Sequence, residues 1–155
     1  MINLNYADIK TFDINNGEGV VVSLWVTGCP IHCEGCHNKE IWDPNTGYEF
    51  NQNTMDYILE SLADERIDKN FSVLGGEPLS PLNYETVLKI VKEVKKTFPN
   101  KKIWIWTGYH FERLKKLEIF DYIDVLIEGP YVESLKDEDT WWRGSYNQKM
   151  IKLNP

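Results

Sequence analysis

The three cysteines of this 155-residue chain lie within eight residues of one another, at Cys29, Cys33 and Cys36. Their C-x3-C-x2-C spacing lets three thiolates from one loop surround one face of a soft metal centre. A four-iron cluster usually takes four cysteines. Because the sequence contains no fourth cysteine, a cluster bound here would keep one iron free of protein thiolate, and that iron could bind a substrate directly.

A zinc site is the alternative that the cysteine loop leaves open. Structural zinc takes four ligands, and His32 or His37 could complete the set. An odd number of cysteines does not make a disulfide framework, so clustered thiols indicate metal or redox chemistry. A non-catalytic zinc-binding interaction module therefore stands beside an open-iron enzyme as a candidate.

The turn Gly75-Gly76-Glu77-Pro78 is the second feature with chemical potential. A ligand that is bound through the backbone needs glycine, because a Cβ atom would block its close approach. The same residue types also form ordinary turns when they occur alone. The turn therefore indicates a ligand site only if the fold brings it beside the cysteine loop.

Short apolar runs alternate with amphipathic stretches along the chain. The apolar runs predict strands at 20–26, 71–74, 103–106, 123–127 and 150–153. Helices are predicted from the N-caps Asn53 and Asn83, with a shorter one over 111–117. The alternation indicates an α/β fold of parallel strand–helix units, too short for a complete eight-unit barrel. We expect a single domain over 1–155, an incomplete parallel barrel or an open, curved sheet.

One edge of that sheet should carry the chemistry. Right-handed crossovers place every strand-to-helix loop at the same edge of a parallel sheet, and ligands bind there. The cysteine loop follows the first of these predicted strands, 75–77 follows the second, and Thr107 and Glu128 lie at the ends of later ones. Topology alone predicts that these residues surround one cleft.

The cysteine loop and the Gly75-Gly76-Glu77-Pro78 turn together resemble the two motifs of the radical S-adenosylmethionine superfamily. The resemblance implies that Cys29, Cys33 and Cys36 hold a 4Fe-4S cluster whose open iron binds S-adenosylmethionine. It also implies contacts to S-adenosylmethionine at the backbone of Gly35, Cys36 and His37, at Gly75, Gly76 and Glu77 for the methionine end, and at Thr107 and Glu128 for the ribose or amino group.

Longer blocks resemble, within that superfamily, the activating proteins of anaerobic ribonucleoside-triphosphate reductases. They are GCPIHCEGCHN at 28–38, IWTGY at 105–109, DVLIEGPYVESLKD at 124–137 and WRGSYNQ at 142–148. The resemblance implies that a flavodoxin-type donor reduces the cluster and that S-adenosylmethionine is cleaved to a 5′-deoxyadenosyl radical. That radical would take a hydrogen atom from a glycine of the large reductase subunit. A small radical enzyme acting on a free metabolite would use the same chemistry on another substrate.

Two departures from the superfamily limit what can be carried over. Glu18 and Val21 stand where related activases commonly have proline and arginine, so no role of that arginine transfers to this chain. Gly35 precedes the last cysteine, where an aromatic residue near adenine is common. The adenine contacts of this chain must therefore come from backbone or from elsewhere.

Composition excludes several classes of partner. The net charge is −7 and the pI near 5.0, which argues against a nucleic-acid surface. No window approaches the roughly 20 apolar residues that span a bilayer, and the first residues lack a signal-peptide pattern. We expect a cytoplasmic protein that contacts neither nucleic acid nor membrane. Its oligomeric state stays open, with a homodimer as one option.

Overall fold

The computed structural model describes residues 4–36, 38–139 and 141–154. The elements follow one another as β1 (Asn5–Asp13), β2 (Val20–Val26), β3 (Tyr48–Glu49), α1 (Gln52–Leu62), β4 (Lys69–Gly75), α2 (Tyr84–Thr97), β5 (Ile103–Thr107), α3 (Phe111–Leu114), β6 (Val125–Glu128) and β7 (Lys149–Lys152). Short 3-10 turns cover Lys39–Ile41, Glu118–Asp121 and Glu133–Leu135. All five predicted strands are present, and three helices fall where helices were expected.

The seven strands form one mixed sheet in the order β3-β1-β2-β4-β5-β6-β7. Strands β2, β4, β5 and β6 are parallel to one another, as predicted. Strands β1, β3 and β7 pair antiparallel with their neighbours, so the expectation of a purely parallel sheet is wrong at both margins. The sequence did not predict strand β1, because its side chains are half-buried or exposed up to the buried Asp13, which weakens the apolar signal.

The two faces of the sheet bury different side chains, as β5 illustrates. Ile103 and Ile105 belong to the large core that includes the apolar sides of α1 and α2. Trp104 and Trp106 alternate with them and pack on the opposite face in a smaller cluster with Trp142. A strand buried on both faces reads as a continuous apolar run, which is why IWIW was recognisable in the sequence.

The helix starts differ in detail from the sequence prediction. Helix α1 is capped by Asn51 and not by Asn53: the Asn51 side chain accepts a hydrogen bond from the Thr54 N–H (3.1 Å), and the Thr54 hydroxyl accepts one from the Asn51 N–H (3.2 Å). Asn83 precedes α2, but its side chain makes no capping bond. Helix α3 ends at Leu114, earlier than the predicted residue 117.

The parallel strands end side by side at one edge of the sheet. Val26 of β2 pairs with Gly75 of β4, and Thr107 of β5 pairs with Glu128 of β6. The loops that follow these four strands therefore begin at the same level, as the topology argument predicts. No helix in the described part of the chain has the length and apolar character needed to cross a membrane.

Candidate functional site

The cysteine loop leaves β2 through a glycine in the left-handed region and returns along a fixed path. Gly28 has φ +89°, a conformation that favours glycine. Its N–H donates to the Ile41 carbonyl (2.8 Å), and the Cys29 N–H donates to the Trp42 carbonyl (3.0 Å). These two bonds join the start of the loop to the segment that follows it. The residues between them form the tip of the loop, which contains the cysteines.

All three cysteines are half-buried within this loop, and none of them forms a disulfide. A turn brings the last two together, because the Cys36 N–H donates to the Cys33 carbonyl (3.1 Å). The Asn38 N–H donates to the Cys36 sulfur (3.4 Å). Burial raises the pKa of Cys29 and of Cys33 above the ordinary value. Thiols in such surroundings favour metal coordination over free thiolate, because bound metal supplies the missing positive charge.

The three cysteines and the loops at the strand ends share one cavity of about 150 Å³. Its walls include Cys29, Cys33 and Cys36, the segment 75–77 after β4, Thr107 and Gly108 after β5, and Gly129, Tyr131 and Gln148. The predicted cleft is thus present at the carboxyl ends of the parallel strands. It gathers every predicted site residue that the structure describes except Gly35 and Glu128, neither of which lines it.

The Gly75-Gly76 turn approaches the β2 end so closely that neither position has room for a side chain. A Cβ atom on Gly75 would lie 2.7 Å from the Val26 carbonyl oxygen, and one on Gly76 would lie 2.6 Å from the Gly28 carbonyl oxygen. The Asn38 side-chain amide donates to the Gly75 carbonyl (3.2 Å). Packing against the β2 end therefore excludes side chains at both positions, and the turn forms a backbone wall of the cavity beside the cysteines. The predicted backbone contacts to a ligand stay a prediction.

The donor set and this backbone wall fit a cluster with an open iron. Three thiols from one loop face a wall that exposes backbone instead of side chains, and the chain has no fourth cysteine. Among the described residues, which do not include His37, no three Cys, His, Asp or Glu side chains are grouped as ligands of a single ion. His32 is exposed and its ring stacks on Trp42 at 4.2 Å. His32 lines a neighbouring, largely apolar groove of about 610 Å³, which shares Cys29 with the cysteine cavity, and does not line that cavity itself.

Glu77 is a buried residue that links two loops of the site. Its carboxylate is 1% exposed and accepts hydrogen bonds from the Leu79 N–H (2.8 Å), the Gly108 N–H (2.6 Å) and the Thr107 hydroxyl (2.8 Å). Burial raises the pKa of Glu77 to about 7 against the opposing effect of these donors. Because the carboxylate is engaged by three protein donors, it links the loop after β4 to the loop after β5. Its predicted contact with the methionine end stays a prediction.

Thr107 and Glu128 have partners that the sequence did not indicate. Besides its bond to Glu77, the Thr107 hydroxyl accepts a hydrogen bond from the Tyr109 N–H (3.2 Å). Glu128 is 6% exposed, and its carboxylate lies 3.2 Å from Nδ1 of His110. Their suggested ribose or amino-group contacts therefore stay predictions, and the geometry favours Thr107 over Glu128 because only Thr107 lines the cavity.

Gly35 lies at a tight point of the cysteine loop, whereas His37 lies outside the described residues. Gly35 has φ +75°, and its Cα faces the carboxylate of Glu133 from the loop after β6. The Tyr131 hydroxyl donates to that same carboxylate (2.6 Å), and this contact raises the pKa of Tyr131 to about 12. The loop after β6 thus touches the cysteine loop directly.

Asn83 is a positioning residue that sequence reasoning missed. It is 1% exposed, and its amide donates to the carbonyls of Thr27 (2.9 Å) and Glu77 (3.0 Å). It therefore joins the end of β2 to the loop after β4. The sequence marked Asn83 as a helix cap, and no local pattern distinguishes a cap from a tertiary bridge.

Comparison with known proteins agrees with this geometry. The family described as a 4Fe-4S single cluster domain matches residues 15–151. The chain is 40% identical over 153 residues to the anaerobic ribonucleoside-triphosphate reductase-activating protein of Escherichia coli K12, covering 97% of this chain and 99% of that protein. The proteins of the same name from Enterobacteria phage T4 and Haemophilus influenzae are 42% and 40% identical. They cover 95% and 94% of this chain, and 93% and 96% of their own lengths.

The matches span the cysteine loop, the glycine turn and the loops that surround the cavity. Identity at this level over nearly the whole of both chains, together with a cysteine site of the expected kind, leads to one conclusion. This chain belongs to the family of anaerobic ribonucleoside-triphosphate reductase-activating proteins and carries its 4Fe-4S single cluster domain.

Proposed function

We propose that this protein cleaves S-adenosylmethionine reductively at a 4Fe-4S cluster held by Cys29, Cys33 and Cys36. The single observation that carries the proposal is the meeting of three thiols and a side-chain-free backbone wall in one cavity. The absence of a fourth cysteine from the sequence supports an iron that is open to the substrate. The names of the relatives supply the target, an anaerobic ribonucleoside-triphosphate reductase, and the family resemblance indicates its large subunit.

With the cluster bound, one electron, S-adenosylmethionine and a glycine C–H of the reductase become methionine, 5′-deoxyadenosine and a glycyl radical. The protein contributes position and exclusion of water. The backbone at Gly75 and Gly76 faces the methionine end, and Glu77 keeps that turn in place through its bonds to the loop after β5. Ile31 and Trp106 add apolar surface to the cavity and limit access of water to it.

Each cleavage consumes one electron, which a donor has to supply to the cluster. We propose a flavodoxin-type donor on the basis of the family resemblance. The whole chain, 1–155, acts as a single domain in this proposal, since one continuous sheet carries all the walls of the cavity.

Anaerobic reconstitution with iron and sulfide tests the proposal. The wild type is expected to bind a cluster and, with a strong reductant and S-adenosylmethionine, to form 5′-deoxyadenosine; added reductase should then show a glycyl radical by electron paramagnetic resonance. Serine in place of Cys29, Cys33 or Cys36 should abolish cluster binding and product. Glu34→Gln is the matched control, because Glu34 is an exposed residue of the same loop.

Two outcomes would contradict the proposal in different ways. A colourless protein with one zinc ion and no turnover of S-adenosylmethionine would identify the zinc-binding module. A protein that forms 5′-deoxyadenosine but generates no radical on any candidate reductase would support the cleavage of S-adenosylmethionine and contradict the assigned target. That outcome would favour a free metabolite as the substrate.

A further inference from the structure

The loop after β6 closes over the cysteine loop through the side chain of Glu133. A Cβ atom placed on Gly35 would lie 2.7 Å from Cδ of Glu133 and 3.1 Å from its Cγ. The space that a side chain at position 35 would need is therefore taken by this carboxylate. Glu133 is itself an exposed residue, so a ligand at the mouth of the cavity can reach it.

Tyr131 joins the carboxylate to the cysteines. Its hydroxyl donates to Oε2 of Glu133 (2.6 Å), and its backbone N–H bonds to the thiol of Cys33. Tyr131 also lines the cysteine cavity and is half-buried. The ring of Tyr131 thus lines the cavity together with Cys33 and Cys36, and the Glu133 carboxylate lies beside this ring, against Gly35 and outside the lining of the cavity.

The cavity itself cannot contain a whole nucleoside cofactor. Its volume is about 150 Å³, whereas pockets for ligands of that size usually occupy about 300–1,000 Å³. A ligand anchored at the Gly75-Gly76 wall must therefore continue outward past the cysteines. The loop after β6 provides the two groups that nucleoside recognition uses, an aromatic face on which a base stacks and a carboxylate that accepts hydrogen bonds from ribose hydroxyls.

We propose that Tyr131 and Glu133 bind the adenosyl half of S-adenosylmethionine. The ring of Tyr131 stacks on adenine, and the carboxylate of Glu133 accepts hydrogen bonds from the ribose hydroxyls. This inference rests on the proposed function, because it presumes that S-adenosylmethionine is the ligand. It places the aromatic contact on the loop after β6, in a chain whose position before the last cysteine is the side-chain-free Gly35.

Binding measured on the reconstituted protein, without turnover, tests the inference. Isothermal titration with S-adenosylhomocysteine is expected to show affinity reduced about fivefold or more in Tyr131→Leu, because stacking on the ring is lost. Glu133→Gln should weaken binding by a similar factor. Tyr131→Phe keeps the ring and should lose less than Tyr131→Leu. Methionine alone, detected by its effect on the cluster's paramagnetic resonance spectrum, should bind all variants as it binds the wild type.

Tyr146 and Glu138 provide matched controls, since both are exposed residues of the C-terminal region and neither lines the cavity. Tyr146→Leu and Glu138→Gln should bind S-adenosylhomocysteine with unchanged affinity. Wild-type affinity in both Tyr131→Leu and Glu133→Gln would overturn the inference and leave the proposed function intact. A wild type that holds its cluster yet binds neither S-adenosylhomocysteine nor S-adenosylmethionine would overturn both.

Discussion

Replacing Gly76 by alanine tests whether contact between two backbones holds the glycine turn against the cysteine loop. The new Cβ atom would lie 2.6 Å from the Gly28 carbonyl oxygen, 3.0 Å from its carbon and 3.1 Å from its nitrogen. All three atoms are backbone, so no side-chain rotation can relieve the overlap. The two loops must separate by about 0.4 to 0.8 Å before the contact becomes tolerable.

The cost of that separation follows from what joins the loops. The Gly76 N–H donates to the Val26 carbonyl and the Glu77 N–H to the Gly28 carbonyl, both at 2.8 Å. A shift of about 0.8 Å would stretch the second bond beyond hydrogen-bonding distance. Overpacking costs about 1–3 kcal/mol and the lost bond about 1 kcal/mol. We expect Gly76→Ala to lower the free energy of unfolding by about 2–4 kcal/mol.

Gly108→Ala is the matched control for this substitution. Its Cβ atom would meet mainly the terminal Cδ1 methyl of Ile31, which can rotate away, and the Gly108 N–H keeps its bond to Glu77. The expected loss is below about 1 kcal/mol, as for a surface-type change without backbone conflict. Position 108 borders the same cavity as position 76, so the pair separates backbone conflict from mere proximity to the site.

Urea unfolding of the metal-free proteins under anaerobic conditions measures both losses, and iron content after reconstitution follows the effect on the site. Gly76→Ala should also take up less iron than the wild type, because displacement of the turn moves the wall that faces the cysteines. The reasoning is refuted if Gly76→Ala unfolds within about 0.5 kcal/mol of the wild type, or if Gly108→Ala loses as much stability.

Two further substitutions test the bracing of the cavity. Asn83→Asp places a carboxylate oxygen against the carbonyls of Thr27 and Glu77, and should lower the free energy of unfolding by about 3 kcal/mol or more at neutral pH; a loss below about 1 kcal/mol in urea unfolding would contradict the bridge. Because burial raises the pKa of Glu77 from 4.5 to about 7, the folded state holds a proton that the unfolded state releases. Stability should therefore fall by up to about 3 kcal/mol as the pH rises from about 4.5 through 7. Glu77→Gln should flatten this dependence, and an unchanged pH profile of the melting temperature would show that Glu77 is not the titrating group.

Much of the fold could be predicted because its central strands carry a strong local signal. The runs VVVSLWV and IWIW are buried on both faces, so their apolar character is continuous and their bounds agree with β2 and β5. Strand β1 gave no such signal, since all of its side chains except that of Asp13 are half-buried or exposed. The antiparallel pairing of β1 with β2 and of β7 with β6 joins separate segments of the chain, and periodicity does not report which segments pair.

The number and spacing of the cysteines and the position of the glycine turn are properties of the sequence alone. They determined which chemistry to expect, because the presence of three cysteines in one loop and the lack of a fourth can be read from residue types without knowledge of the packing. The parallel topology then followed from the order of strands and helices, and it brought the turn and the cysteines to the same edge of the sheet.

Only the tertiary structure decided which polar side chains face the ligand and which face the protein. The carboxylate of Glu77 accepts a hydrogen bond from the Gly108 N–H. The carboxylate of Glu128 lies beside His110, and that of Glu133 packs against Gly35. The partners in these pairs lie 18 or more residues apart along the chain. Such contacts are set by strand register and loop path, so a carboxylate's role could not be inferred from its place in a motif.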